Sequence, residues 1–166
     1  MKKKQLHDVF EYKDGNLIWK IKPCKNKNIG DVAGCIRGDG YITIRINRKR
    51  YLAHRLVWMF HNGDIPIGLD IDHIDRNPSN NRIENLRLAT RSQNMTNRHK
   101  QTNNTSGYKG VCWHKCAKKW VAQIAHNKIK NHLGYFDTAE LARDAYILAS
   151  GKLQGDFACL EKKTDM

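Results

Sequence analysis

The 166-residue sequence contains no run of about 18 apolar residues, so no membrane-spanning helix is expected. Its opening, MKKKQLHDVF, has the basic start of a secretory leader but no apolar stretch behind it, and a cytosolic protein is the expectation. The five cysteines form no CxxC pair, and their odd number and irregular spacing argue against a disulfide framework. No internal repeat is visible. The composition of a disordered chain is missing too, because aromatic and branched apolar residues recur along almost the whole length. At roughly 100–200 residues per domain, the chain makes one ordinary domain or two small ones.

The most informative absence is of acid. Lys+Arg number 30 against 16 Asp+Glu, a formal net charge of +14, yet Leu86 to Phe136 contains no Asp or Glu. Arg87, Arg91, Arg98, Lys100, Lys109, Lys115, Lys118, Lys119, Lys128 and Lys130 all lie there. A solvated basic face is one reading. The other is a phosphate-binding surface, since each neutralised phosphate releases condensed counterions. Anionic membrane is the competing polyanion, but it is bound by basic amphipathic helices. Here the charges interleave with Trp113, Trp120 and strand-like patterns, so nucleic acid is the expected partner and membrane is not.

Phe10, Tyr12, the Asp14-Gly15 turn and Leu17 to Trp19 predict a hairpin over 10–20. Gly38-Asp39-Gly40 is a second turn. It opens a half-buried strand through Ile42, Ile44 and Ile46, which Asn47-Arg48 returns toward Tyr51. From Leu52 the spacing becomes helical (Leu52, Leu56, Met59, Phe60) and Gly63 ends it. His54 and His61 in this helix read as packing or surface histidines rather than ligands. Beyond Pro66 come a short apolar strand, a loop crowded with Asn, a second strand at Leu86 and Leu88, and a short helix capped by Thr90. Residues 98–107 form the expected linker. Three strands follow, over 108–113, 119–126 and 129–135. The last element is a helix with an Asp137–Glu140 capping box, a buried stripe of Leu141, Ala145 and Leu148, and an end at Gly151. This is an α+β chain of two modules, 1–97 and 108–158.

Asp72 and His73 are adjacent at a strand end, Asn85 begins the next strand, and Asn94 sits in the following helix. Strand pairing with a helix packed across would gather the four. A hard divalent cation such as Mg²⁺ takes oxygen ligands, and Asp72 offers a carboxylate and Asn94 an amide carbonyl. A metal there would polarise a scissile phosphate and stabilise the leaving oxygen. His73, neutral near pH 7, can take a proton from the attacking water. Asn85 would hold either the His73 ring or the loop, while Asn77, Asn80 and Asn81 read as turn formers.

The run DHIDRNPSNNRIENLRLATRSQNMTN resembles the HNH endonuclease motif, the ββα-metal fold of phage-type homing endonucleases, and HRLVWMFHNG resembles the helix that precedes it. The likeness covers about residues 51–97. It implies metal-dependent hydrolysis of a DNA phosphodiester, leaving a 3′-hydroxyl and a 5′-phosphate. Asp72 and Asn94 would hold the metal, His73 would be the general base, and Asn85 would position it. Asn94 stands where the motif's name has histidine. One protein carboxylate favours Mg²⁺ or Mn²⁺ over zinc, and without CxxC knuckles no structural zinc is expected.

Residues 106–150 resemble the ethylene-response-factor (APETALA-type) DNA-binding domain, through YKGV, Lys119-Trp120, LGYF and DTAELARDAY. That family lays a three-stranded antiparallel sheet in the major groove with a helix behind it, a fit the groove allows. The groove-facing candidates are Lys109, Trp113, His114, Lys115, Gln123, Lys128, Lys130 and His132, with Trp120 in the core. Where plant members carry arginines this chain has Lys109, Cys112 and His114, and lysine serves phosphate as a point charge, so anchoring to the backbone is expected. The whole reads as a DNA endonuclease, a monomer or weak dimer, that nicks one strand or breaks both if two chains act together. A DNA-binding regulator with an inactive nuclease core is the rival, and an RNA-binding protein ranks behind both.

Overall fold

Asp14 and Gly15 both take positive φ, 49° and 87°, the conformation of a two-residue hairpin turn whose twist matches the strands it joins. They connect β1 (Phe10–Lys13) to β2 (Asn16–Trp19) in antiparallel register, as the turn residues predict. The structure, a computed structural model, describes residues 3–98, 104–126 and 129–158. It divides into two units, Met1–Thr90 and Arg91–Met166. The division falls at Thr90, ahead of the expected linker, so the short helix after Thr90 goes with the second unit.

In the first unit a helix, α1 (Lys3–Val9), precedes the hairpin and buries Leu6 completely. The sequence pattern does not announce it, because seven residues are too few for a 3.6-residue period to stand out. β3 (Cys35–Ile36), β4 (Ile42–Ile46) and β5 (Lys49–Leu52) form an antiparallel sheet in that order. Asn47 and Arg48, at φ 47° and 66°, make the expected turn between β4 and β5. α2 (Ala53–Asn62) follows at once. It has no side-chain N-cap, so burial of Leu56 and Val57 holds it, at about 1.5–3 kcal/mol for each large apolar side chain removed from water. Gly63, φ 85°, ends it by donating to the Met59 carbonyl at 3.0 Å.

β6 (Leu69–His73) and β7 (Leu86–Thr90) pair antiparallel, with a 3₁₀ turn at Ile83–Asn85 just before β7. Leu6, Phe10, Leu17, Ile44, Leu56, Val57, Ile71 and Leu86 join α1, β1, β2, β4, α2, β6 and β7 in one core. The tip of the first hairpin lies against the segment leading into β7. A Cβ on Gly15 would stand 2.9 Å from the Arg82 nitrogen, and the Ile83 N–H donates to the Tyr12 hydroxyl at 3.0 Å.

The second unit begins with α3 (Arg91–Thr96) and continues with β8 (Val111–His114), β9 (Lys119–His126) and β10 (Ile129–Phe136), an antiparallel sheet in the order β10–β9–β8. α4 (Ala139–Gln154) packs on one face of it. The helix corrects three expectations. Its cap is Thr138, whose side chain accepts from the Leu141 N–H at 3.3 Å, not Asp137. Its buried stripe is Ala142, Tyr146 and Ser150, while Leu141 and Leu148 are exposed, and it runs past Gly151 to Gln154. Ala142 and Ser150, both fully buried, let helix and sheet approach closely on either side of Tyr146, so the two leucines stay outside.

Candidate active site

β6 ends on three consecutive buried residues, Ile71, Asp72 and His73. Asp72 stands opposite Arg87 in the β6–β7 register, and Arg87 donates from both Nε (2.9 Å) and Nη2 (2.8 Å) to Asp72 Oδ2. Both side chains are largely out of water, 6% exposed for Asp72 and 16% for Arg87. A buried carboxylate needs such a partner, because an uncompensated charge in the interior is strongly unfavourable. This corrects the expectation for Arg87. It is bound to the site carboxylate and is not an open phosphate contact.

The His73 ring is gripped from the loop. Its Nε2 lies 3.0 Å from Oδ1 of Asn81, which is itself 2% exposed. An amide oxygen only accepts, so Nε2 carries the proton and Nδ1 is the basic nitrogen. Asn81 is therefore more than a turn former. Asn85, at the end of the 3₁₀ turn and not inside the strand, holds the loop and not the ring. Its Oδ1 accepts from the Asp75 N–H (2.9 Å), and its Nδ2 donates to Asp75 Oδ1 and to the Asn80 carbonyl, both at 2.8 Å. The Asp75 carboxylate also receives the Asn77 N–H at 2.8 Å and Asn80 Nδ2 at 2.6 Å. Burial alone would raise the Asp75 carboxyl. The hydrogen bonds from Asn80, Asn77 and Asn85, with the nearby His73, outweigh it and hold the carboxyl below the usual range.

Behind His73 lie two further rings that sequence reasoning did not connect with it. His54, 5% exposed, meets the His73 ring edge-on with centroids 4.9 Å apart, and Tyr41 lies 5.9 Å from His73. His54 sits three residues before the buried Val57, on the same helix face, and that spacing is the signal that places it inside. For Asn81 there was no such signal among so many neighbouring asparagines. Asn94 is half-buried on α3 in the second unit, with Arg91 and Arg98 exposed on and after the same helix.

In the second unit the strand register sorts the groove-facing candidates. Val111, Ala122 and Ile124 are buried, and Val111 and Ala122 pack with Ala142 of α4. Alternation then puts Cys112, His114, Gln123, Lys130, His132 and Tyr135 on the opposite face. Tyr135, 50% exposed, stands between His114 and His132 at ring distances of 5.4 and 4.9 Å. Trp113 is a correction. It pairs with Trp120 on the helix side, rings 5.2 Å apart, because partners in register share a face. Lys109 is another, since its Nζ donates to the carbonyls of Thr96 and Arg98 at 2.5 and 2.6 Å. Lys115 is exposed in the β8–β9 turn. Lys100 and Lys128 lie outside the described residues.

The strand ending in Asp-His, the Asn-braced loop and the return strand all lie within a stretch that a known family model matches. The HNH endonuclease family model matches residues 51–96 and the AP2 domain model matches residues 106–155. The chain belongs to the HNH endonucleases and carries an AP2 domain at its C-terminal side. It is 37% identical over 105 residues to Protein 3.8 of Escherichia phage T7, spanning 63% of this chain and 86% of that one. An uncharacterised HNH endonuclease of Acanthamoeba polyphaga mimivirus is 35% identical over 110 residues, 66% of this chain and 56% of the relative. Among solved structures, one described as DNA binding and cleavage by the HNH homing endonuclease I-HmuI covers 85% of this chain and 82% of its own, at 21% identity and a TM-score of 0.41.

Proposed function

We propose that the protein hydrolyses phosphodiester bonds of duplex DNA in a divalent-metal-dependent reaction that leaves a 3′-hydroxyl and a 5′-phosphate, working in a host cytoplasm and nicking one strand per chain. The observation that carries this reading is the Asn81–His73 bond, which fixes the basic nitrogen of an imidazole next to a buried carboxylate. His73 Nδ1 takes the proton of the attacking water. Nε2–H stays on Asn81, so the ring keeps one tautomer as it cycles. Asn85 acts at one remove, by tying Asp75 and Asn80 into a loop that cannot drift from the end of β6.

The donor chemistry fits a hard cation. Asp72 gives a carboxylate and Asn94 an amide oxygen, and no group of three or more His, Cys, Asp and Glu gathers among the described residues. Such a set leaves coordination places for water and substrate phosphate, as Mg²⁺ or Mn²⁺ require. The metal, when bound, supplies Lewis-acid polarisation of the phosphate and stabilises the leaving oxygen. Arg87 holds Asp72 in place through its two bonds to Oδ2. The open face of the AP2 sheet, with His114, Gln123, Lys130, His132 and Tyr135, docks on the duplex, and Arg91, Arg98 and Lys115 add phosphate contacts.

Supercoiled plasmid tests the reading. Wild type with Mg²⁺ converts it to relaxed circles that ligase can reseal, chelator stops the reaction, and His73→Ala abolishes it while DNA binding persists. Binding without cleavage under any divalent metal would refute the proposal.

A further inference from the structure

His54 stands in the first turn of α2, 5% exposed, with its ring edge-on to His73 at 4.9 Å and an interplanar angle of 77°. Tyr41 closes the group, 5.4 Å from His54 and 5.9 Å from His73. The hydrolytic chemistry above does not use His54, yet packing alone does not explain it. Its Nδ1 is buried with no hydrogen-bond partner among the described residues. A phenyl ring would fill the space without leaving a polar atom unsatisfied. The ring is also uncharged at working pH. Burial first, then His73 and Arg55, brings its pKa from 6.5 down to about 3. A neutral ring with a dipole can orient a neighbouring imidazole without repelling it.

We propose that His54 is a positioning residue for His73: its edge and its dipole hold the His73 ring in the plane and the tautomer in which Nε2–H faces Asn81. Asn81 grips one end of the ring, and His54 resists its rotation about the Cβ–Cγ bond. The inference rests on the reading of His73 as general base.

The test uses the full-length chain on supercoiled plasmid with Mg²⁺, comparing wild type, His54→Phe, His54→Leu and His73→Ala. In His54→Phe the melting temperature is expected to hold or rise and KM to stay put, while kcat falls about tenfold or more, the scale of a misplaced catalytic group. His54→Leu is expected to lose activity with it, so the conclusion does not hang on one variant folding. Imidazole ¹⁵N shifts of His73 in metal-free protein should report a single Nε2–H tautomer in wild type and a mixture in His54→Phe. If His54 merely packed, activity would follow stability. A His54→Phe enzyme as fast as wild type with unchanged ring signals overturns the proposal alone. A His73→Ala enzyme that still cleaves as wild type overturns the general-base reading and the inference with it.

Discussion

Replacing Arg87 by Met exposes the electrostatic logic of the site. The substitution keeps most of the side chain's length but removes both bonds to Asp72 Oδ2 and leaves that carboxylate, 6% exposed, without its opposite charge. Breaking a pair this deeply buried costs about 3 kcal/mol or more. Against a typical total of about 5–15 kcal/mol, that is a large displacement of the urea midpoint. A divalent cation can then supply the missing charge. A ligand at about 100 times its dissociation constant returns about 2.7 kcal/mol, so Mg²⁺ or Mn²⁺ should stabilise Arg87→Met far more than wild type, where Arg87 already holds Oδ2. The double variant Asp72→Asn/Arg87→Met leaves no buried charge. It should recover part of the stability and lose the metal response. Urea unfolding by circular dichroism, with metal or chelator, measures all three proteins. Equal metal responses in wild type and Arg87→Met would refute the reasoning, as would an Arg87→Met protein as stable as wild type in chelator.

Two further outcomes are expected. Gly110 takes φ 72°, and a Cβ there would collide with the Tyr146 ring and come 2.7 Å from the Gln123 carbonyl oxygen. Gly110→Ala should therefore cost the second unit about 2–4 kcal/mol and weaken DNA binding, read by thermal unfolding and by titration of labelled duplex. His54 gives a signed pH dependence. Its folded pKa is about 3 against 6.5 for an ordinary histidine, so the unfolded chain binds a proton that the folded one refuses, and stability falls as pH drops below about 6.5. At about 1.4 kcal/mol per unit, wild type should lose about 2 kcal/mol more than His54→Phe between pH 7 and pH 5 in urea unfolding. His61, also held below its ordinary value by burial, Lys3 and His7, titrates alike in both proteins and cancels in the difference.

Much of the fold was readable because its signals are local. Asp14-Gly15 and Asn47-Arg48 carry their turns in their own backbone preferences, and the β9 and β10 strands lie within a residue of their expected bounds. What escaped depended on contacts between distant segments. α1 is too short to show a period. The buried face of α4 follows from how closely small residues let it approach the sheet, which hydrophobicity alone misassigns to Leu141 and Leu148. In the site, Asp72, His73 and Asn85 stand out as residue types at a suggestive spacing. Arg87 was read by its charge and not by its partner across the ladder. Asn81 and His54 matter through what they touch, and only their three-dimensional neighbours reveal that.

The bonds that brace the loop after β6 span short stretches of chain. Asn81 reaches His73 across eight positions, Asn85 reaches Asp75 across ten and Asn80 across five, and Arg87 closes the ladder to Asp72 across fifteen. Chain segments so joined pay little loop-closure entropy and come together early, whereas pairings between remote segments are slow. The β6–β7 hairpin can thus acquire its shape as a nucleus while His54 and Tyr12 arrive from upstream. Order of assembly then has a practical meaning: the imidazole and the carboxylate are framed first, and the aromatic rings packed behind them close last.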